Sequence, residues 1–126
     1  MTDPYRAALT IEVPRALLIS ANDRLFWREE ARRTKGLRLI GRSRLLAAHP
    51  WPVTLTVTVT YPPLARRRDA SNLAPTVKGL LDGIVDAGLL PDDNDRVIVA
   101  TTYQASAEKG VTGVWGFRLE FSEVAS

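Results

Sequence analysis

Val53-Thr54-Leu55-Thr56-Val57-Thr58-Val59-Thr60-Tyr61 alternates apolar and hydroxylated residues without a break. Successive side chains of a β-strand point to opposite faces. The valines, Leu55 and Tyr61 therefore line one face and the four threonines the other. Threonine is β-branched and suits a half-exposed surface. Pro62-Pro63 stops the strand. Beyond a polar stretch, Val77, Leu80, Leu81, Ile84 and Val85 recur at helical spacing and form one apolar stripe. Ser71 or Asn72 can cap this helix, and Pro75 fits a first turn, where its missing N–H would have no partner anyway. Gly88 suits a left-handed stop. A strand followed closely by an amphipathic helix is the unit from which the rest of the fold is read.

Outward from that unit, residues 8–13 read as a first strand, ended by Pro14. Leu17-Leu18-Ile19 is a short apolar piece, and Ser20-Ala21-Asn22-Asp23 reads as a loop that caps a helix. That helix covers residues 25–48, in one piece or in two around Gly36 or Gly41, with Leu37, Ile40 and Leu45 on its buried side. His49 stands beside the rigid Pro50-Trp51-Pro52 connector and is given no chemistry. Residues 97–105 read as a strand, 107–112 as a turn around Gly110, and 114–121 as a last strand. Trp115, Phe117, Leu119 and Phe121 share one side of it, and the last two strands resemble a hairpin. The expected fold class is α/β (α+β): a single domain over residues 1–126, with a mixed sheet of about four strands and two main helices.

A chain of 126 residues is long enough to bury one core. It has no cysteine, which excludes disulfides and cysteine-ligated zinc and agrees with a reducing, cytoplasmic setting. No stretch is apolar for long enough to span a membrane, and Met1-Thr2-Asp3-Pro4 does not open a signal peptide. Net charge is +3 but unevenly spread. Arginines and lysines crowd residues 23–44 and 66–68, and acids crowd residues 82–95. Arg24, Arg28 and Arg32 recur as one face of a helix, which would lie along phosphates without reading sequence.

Between those regions runs Arg66-Arg67-Arg68-Asp69-Ala70-Ser71-Asn72, followed by Lys78, Asp82 and Pro91-Asp92-Asp93-Asn94-Asp95-Arg96. Carboxylates held close repel one another and invite a hard divalent cation with oxygen ligands. Such an ion can supply hydroxide and neutralise charge on a phosphodiester. Arginines beside it would grip the phosphate backbone, and Lys78 would stabilise developing negative charge. The competing reading is a solvated acidic turn. Residues 92–95 lack the glycine and the terminal glutamate of an EF-hand, which leaves a calcium-binding structural module as a weak third alternative.

Arg67-Arg68-Asp69, Asn72, Lys78, Asp82-Gly83, Asp86-Ala87-Gly88 and Asp92-Asp93, with Pro14 and Asn22-Asp23-Arg24 upstream, resemble the motifs of the RusA-type crossover junction endodeoxyribonucleases, the phage-associated Holliday junction resolvases. The resemblance covers residues 11–99 and is densest over 67–93. It implies a small homodimer that binds four-way DNA junctions and cuts them with Mg2+, or Mn2+ in its place, in a bacterial or phage-infected cell. No small-molecule cofactor and no membrane partner are implied. Asp69 matches the first acid of the family's arginine–aspartate motif, Asp93 the later catalytic acid, Asp82 a helix aspartate, and Lys78 the catalytic lysine. The metal set so implied is Asp69, Asp82 and Asp93, with Asp92 as a helper. Arg66, Arg67, Arg68, Asn72, Asn22, Arg24, Arg28 and Arg32 would hold DNA. Two features depart from the pattern: Lys78 lies a few residues further from Asp69 than in the family's founding member, and Ser71 stands where a second aspartate is common. A neutral hydroxyl is a weaker ligand, so a non-catalytic binder of branched DNA is the alternative function.

Overall fold

The valine–threonine strand lies inside a four-stranded mixed sheet of order β1-β4-β2-β3. The computed structural model describes residues 6–44, 52–65 and 69–124. In chain order the elements are β1 (Arg6–Pro14), a 3-10 turn (Arg15–Leu17), α1 (Trp27–Arg42), β2 (Val53–Thr60), a second 3-10 turn (Ala70–Leu73), α2 (Ala74–Asp86), β3 (Ile98–Ala105) and β4 (Val114–Glu123). The expected α/β class, with two main helices and a mixed sheet, is what forms.

Alternation works as physical chemistry demands. Val53, Leu55, Val57 and Val59 are buried while the intervening threonines stay half-buried. Trp115, Phe117, Leu119 and Phe121 of β4 bury on the same side, together with Ile11 and Val13 of β1. Val77, Leu80, Leu81 and Ile84 of α2 close over them. Gly88 takes φ +79°, and its N–H donates to the Val85 carbonyl, so the helix stops where a left-handed residue was expected.

The last two strands do not form a hairpin. β4 runs antiparallel between β1 and β2, and β3 pairs with β2 in parallel. Burial decides this. β4 has an apolar row that must be covered from both sides, whereas β3 is exposed along most of its length and serves as an edge. The connecting segment crosses the end of β2, where the Ser106 N–H donates to the Val59 carbonyl and the Gly110 N–H to the Tyr61 carbonyl.

Both helix starts also differ from expectation. Ser71 and Asn72 lie in the 3-10 turn, and α2 begins at Ala74 with no side-chain cap. Asp23 does not cap α1, which starts at Trp27; its carboxylate instead accepts the Ser20 N–H at 2.8 Å. Short polar side chains bond their nearest backbone readily, and this loop closes on itself before the helix begins. Arg24 therefore precedes the helix and shares no helical face with Arg28 and Arg32. α1 is one helix through Gly36 and Gly41. Leu45, His49, Trp51 and Arg66-Arg67-Arg68 lie outside the described residues.

The helices meet at glycine. A β-carbon on Gly41 would come closer than 3.0 Å to the Leu80 carbonyl oxygen, and one on Gly83 equally close to the Arg38 carbonyl oxygen. Arg38 then reaches from α1 to α2, donating to both carboxylate oxygens of Asp86 at 2.9 and 3.0 Å. A second tie is buried. The Thr76 hydroxyl accepts the Ile19 N–H at 2.8 Å and donates to the Ile19 carbonyl at 2.7 Å. Thr76→Val keeps the shape but strands both Ile19 groups. It is expected to cost about 1–3 kcal/mol, read as a lower denaturant midpoint with unchanged slope.

Candidate functional site

Lys78 is the centre of the arrangement. Its ammonium donates to Asp93 Oδ2 at 2.5 Å and to Asp82 Oδ1 at 3.0 Å. Lys78 and Asp82 are one turn apart on α2, so helical geometry alone brings them together. Asp93 comes from the loop of residues 87–97 and is placed by the hydrogen bonds of its own turn. Asp92 Oδ1 accepts the Asp93 N–H at 2.7 Å, and Asp92 Oδ2 accepts from the Asn94 amide at 3.1 Å. Asn94 Oδ1 accepts the N–H groups of Arg96 and Val97, which hands the chain on to β3.

Exposure separates the partners. The Lys78 side chain is 61% exposed, Asp82 26% and Asp93 13%. Two half-buried carboxylates thus share one cation that reaches in from solvent. The hydrogen bond to Asp93, with that to Asp82 behind it, holds the Lys78 pKa above its ordinary 10.5. A lysine shifted upward keeps its proton below the ordinary value and loses it only as pH climbs through the raised one. Lys78 is therefore a fixed positive charge at neutral pH and not a proton acceptor.

Of the proposed ligands, Asp82 and Asp93 are brought together, and Asp92 supports Asp93 from behind. Asp69 does not join them. It is exposed, on extended backbone just ahead of the 3-10 turn, and its carboxylate has no partner among the described residues. Among those residues no three acidic or histidine side chains form a metal-ligand group. Ser71, the departure from the family pattern, is exposed in the same turn. Asp86 shares the helix with Lys78 but pairs with Arg38, whose guanidinium holds the Asp86 carboxyl below its usual range.

The proposed DNA-contacting residues divide into engaged and unengaged sets. Arg32 donates to both Glu29 oxygens and to the Ala16 carbonyl. Arg33 donates to Glu29 and to the Leu18 carbonyl. These two arginines pull the Glu29 pKa down to about 2, so the cluster is ionised at any physiological pH. Arg24 and Arg28 have no ion pair among the described residues. Asn22 is exposed in its loop, and the Asn72 backbone carbonyl accepts the Ala21 N–H at 2.7 Å, which ties that loop to the segment after Asp69. Sequence reading missed Thr76 and the glycine contacts. An isolated threonine and two spaced glycines give no signal until the partner chain segment is known.

Among the described residues no helix is long and apolar enough to cross a membrane. No family model and no curated protein matches the sequence. Among solved structures, the chain is similar to the periplasmic domain of Helicobacter pylori MotB, at 13% identity and a TM-score of 0.40, over 92% of this chain and 81% of that one. A likeness that slight bears on neither activity nor partners.

Proposed function

We propose that this chain is a magnesium-dependent, structure-selective DNA endonuclease that resolves four-way junctions as a homodimer. The observation that carries the reading is the Asp82–Lys78–Asp93 cluster, built from residues that match the RusA-type motifs in order. A lysine ammonium between two carboxylates marks a place where oxygen donors already hold a cation. Magnesium often binds through one or two carboxylates while keeping several waters, so this donor set fits it. When bound, the ion would supply Lewis acidity and a water of lowered pKa.

This chain's residues would do the rest. Asp82 and Asp93 would hold the ion, and Asp69 would approach from the strand-end loop. The Lys78 ammonium, fixed as a cation, would offset charge that develops on the phosphate. Arg24, Arg28 and residues 66–68 would hold the backbone. A two-fold pair of subunits would present two equivalent sites to a two-fold junction.

A second reading is a non-catalytic binder of branched DNA. Its motivation is the exposed Ser71, together with a Lys78 ammonium that already pairs with both clustered acids. One assay separates the two: incubation of a four-way junction, and of linear duplex with the same sequence, in magnesium or manganese. Paired nicks in the junction alone support the nuclease. Junction binding with no cleavage in either metal supports the binder.

A further inference from the structure

Phe26 and Trp27 stand in water at the start of α1, 87% and 73% exposed. Tyr61, Trp115, Phe117 and Phe121 are all buried. Two adjacent aromatic rings left outside a core that takes those four are a surface with a use. The Arg28 guanidinium lies 5.1 Å from the centre of the Trp27 ring, a cation held beside a π-face. Trp27 borders a shallow hollow of about 510 Å³ that Lys35 also lines. Phe26 borders a second hollow of about 490 Å³, shared with Arg24 and with Pro75. Pro75 lies one turn before Lys78 on α2, so the aromatic pair adjoins the segment that leads into the candidate site.

Charge selects the occupant. Arg24, Arg28 and Lys35 flank the rings, against Asp23 and against Glu30, which lines both hollows. Glu29 is taken by Arg32 and Arg33, and the Asp23 carboxylate by the Ser20 N–H. Arg24, Arg28 and Lys35 make no ion pair among the described residues. A second copy of this chain docking here about a two-fold axis would set like charges against each other. A polyanion with flat apolar faces would meet both features. Unpaired bases carry such faces, and their phosphates carry the negative charge.

We propose that Phe26 and Trp27 form a stacking platform for unpaired bases, with Arg24, Arg28 and Lys35 on the flanking phosphates. The proposal rests on the nucleic-acid reading and deepens it: the platform takes bases freed where strands part, close to where Lys78, Asp82 and Asp93 cluster. Stacking depends on the π-face and not on base identity, so the platform discriminates unpaired from paired nucleotides without reading sequence.

The test is a titration of the full chain with a short oligothymidylate in EDTA, so that neither metal nor cleavage enters. Tryptophan emission should be quenched on binding. Phe26→Ala/Trp27→Ala should weaken binding by about fivefold or more for each ring lost. Trp27→Phe should keep most of the affinity and lose most of the quenching. Both side chains are exposed, and the conservative variant guards against a folding defect. Wild-type affinity in the double variant would overturn the platform. So would a double variant that binds normally but falls from dimer to monomer in sedimentation, since the rings would then join two copies. Quenching and binding by a protein that cuts no junction would leave the platform standing and remove the nuclease. Wild-type junction cutting and wild-type affinity in the double variant would do the reverse.

Discussion

Asp93→Asn is expected to slow four-way junction cleavage about a thousandfold while leaving junction binding in EDTA within a few-fold of wild type. The change keeps the shape of the side chain and removes the charge that faces Lys78. Asp93 is the least exposed member of the cluster, so solvent does least to replace what is lost. Lys78→Met divides the two roles assigned to the ammonium. It removes the cation that competes for Asp82 and Asp93, so half-saturation should come at lower magnesium. It also removes a fixed charge facing the phosphate, so the maximal rate should fall by about a hundredfold or more. A Lys78→Met protein that cuts at full rate would reduce the lysine to a filler between two acids. Initial rates across a magnesium series, with circular dichroism to confirm folding, make the measurement.

Gly83→Ala is expected to destabilise the fold by about 3 kcal/mol, a drop of roughly 10 °C in melting temperature. Two effects oppose each other here. In an exposed helix interior, alanine is about 1 kcal/mol better than glycine. At Gly83 the new methyl would meet the Arg38 carbonyl and the Arg42 backbone nitrogen. Backbone atoms in a neighbouring helix cannot rotate away, so α1 and α2 must separate, and overpacking wins. Gly36→Ala is the control. Its methyl meets only the Leu17 side-chain tip, which can change rotamer, so this variant should be neutral or slightly stabilising. A Gly83→Ala protein as stable as wild type would mean that the helices are not in backbone contact. Because Asp82 precedes Gly83, separation of the helices would also disturb the Lys78 cluster, and cleavage should fall with stability.

Much of this fold was legible where one local signal was strong. The alternation in β2, the apolar row of β4 and the stripe of α2 each specify an element and its buried face without outside help. The β3–β4 pairing was not legible. Adjacency in sequence favours a hairpin, but the sheet is decided by which strand has apolar surface to cover, and β3 has little. The start of α1 was misread because Asp23 has two uses, helix cap or local turn, and only the geometry of Ser20 chooses between them. At the candidate site, Lys78 with Asp82 follows from helical spacing. The approach of Asp93 depends on a loop that closes through Asp92 and Asn94, which periodicity does not describe. Asp69 was grouped with them by motif order, and no rule of spacing fixes how a strand-end loop sits against a helix.

The central position of β4 has a consequence for biosynthesis. Arg6 pairs with Ser122 and Val53 with Glu123, so β1 and β2 must wait for β4 to be synthesised. Until residues 114–123 emerge, β1 has no neighbour and β2 has an open flank of unsatisfied amides and carbonyls. Such long-range closure is slow relative to helix formation. A nascent chain halted before Val114 would carry a helical pair on half a sheet, the kind of species that chaperones retain and that sticks to its own kind.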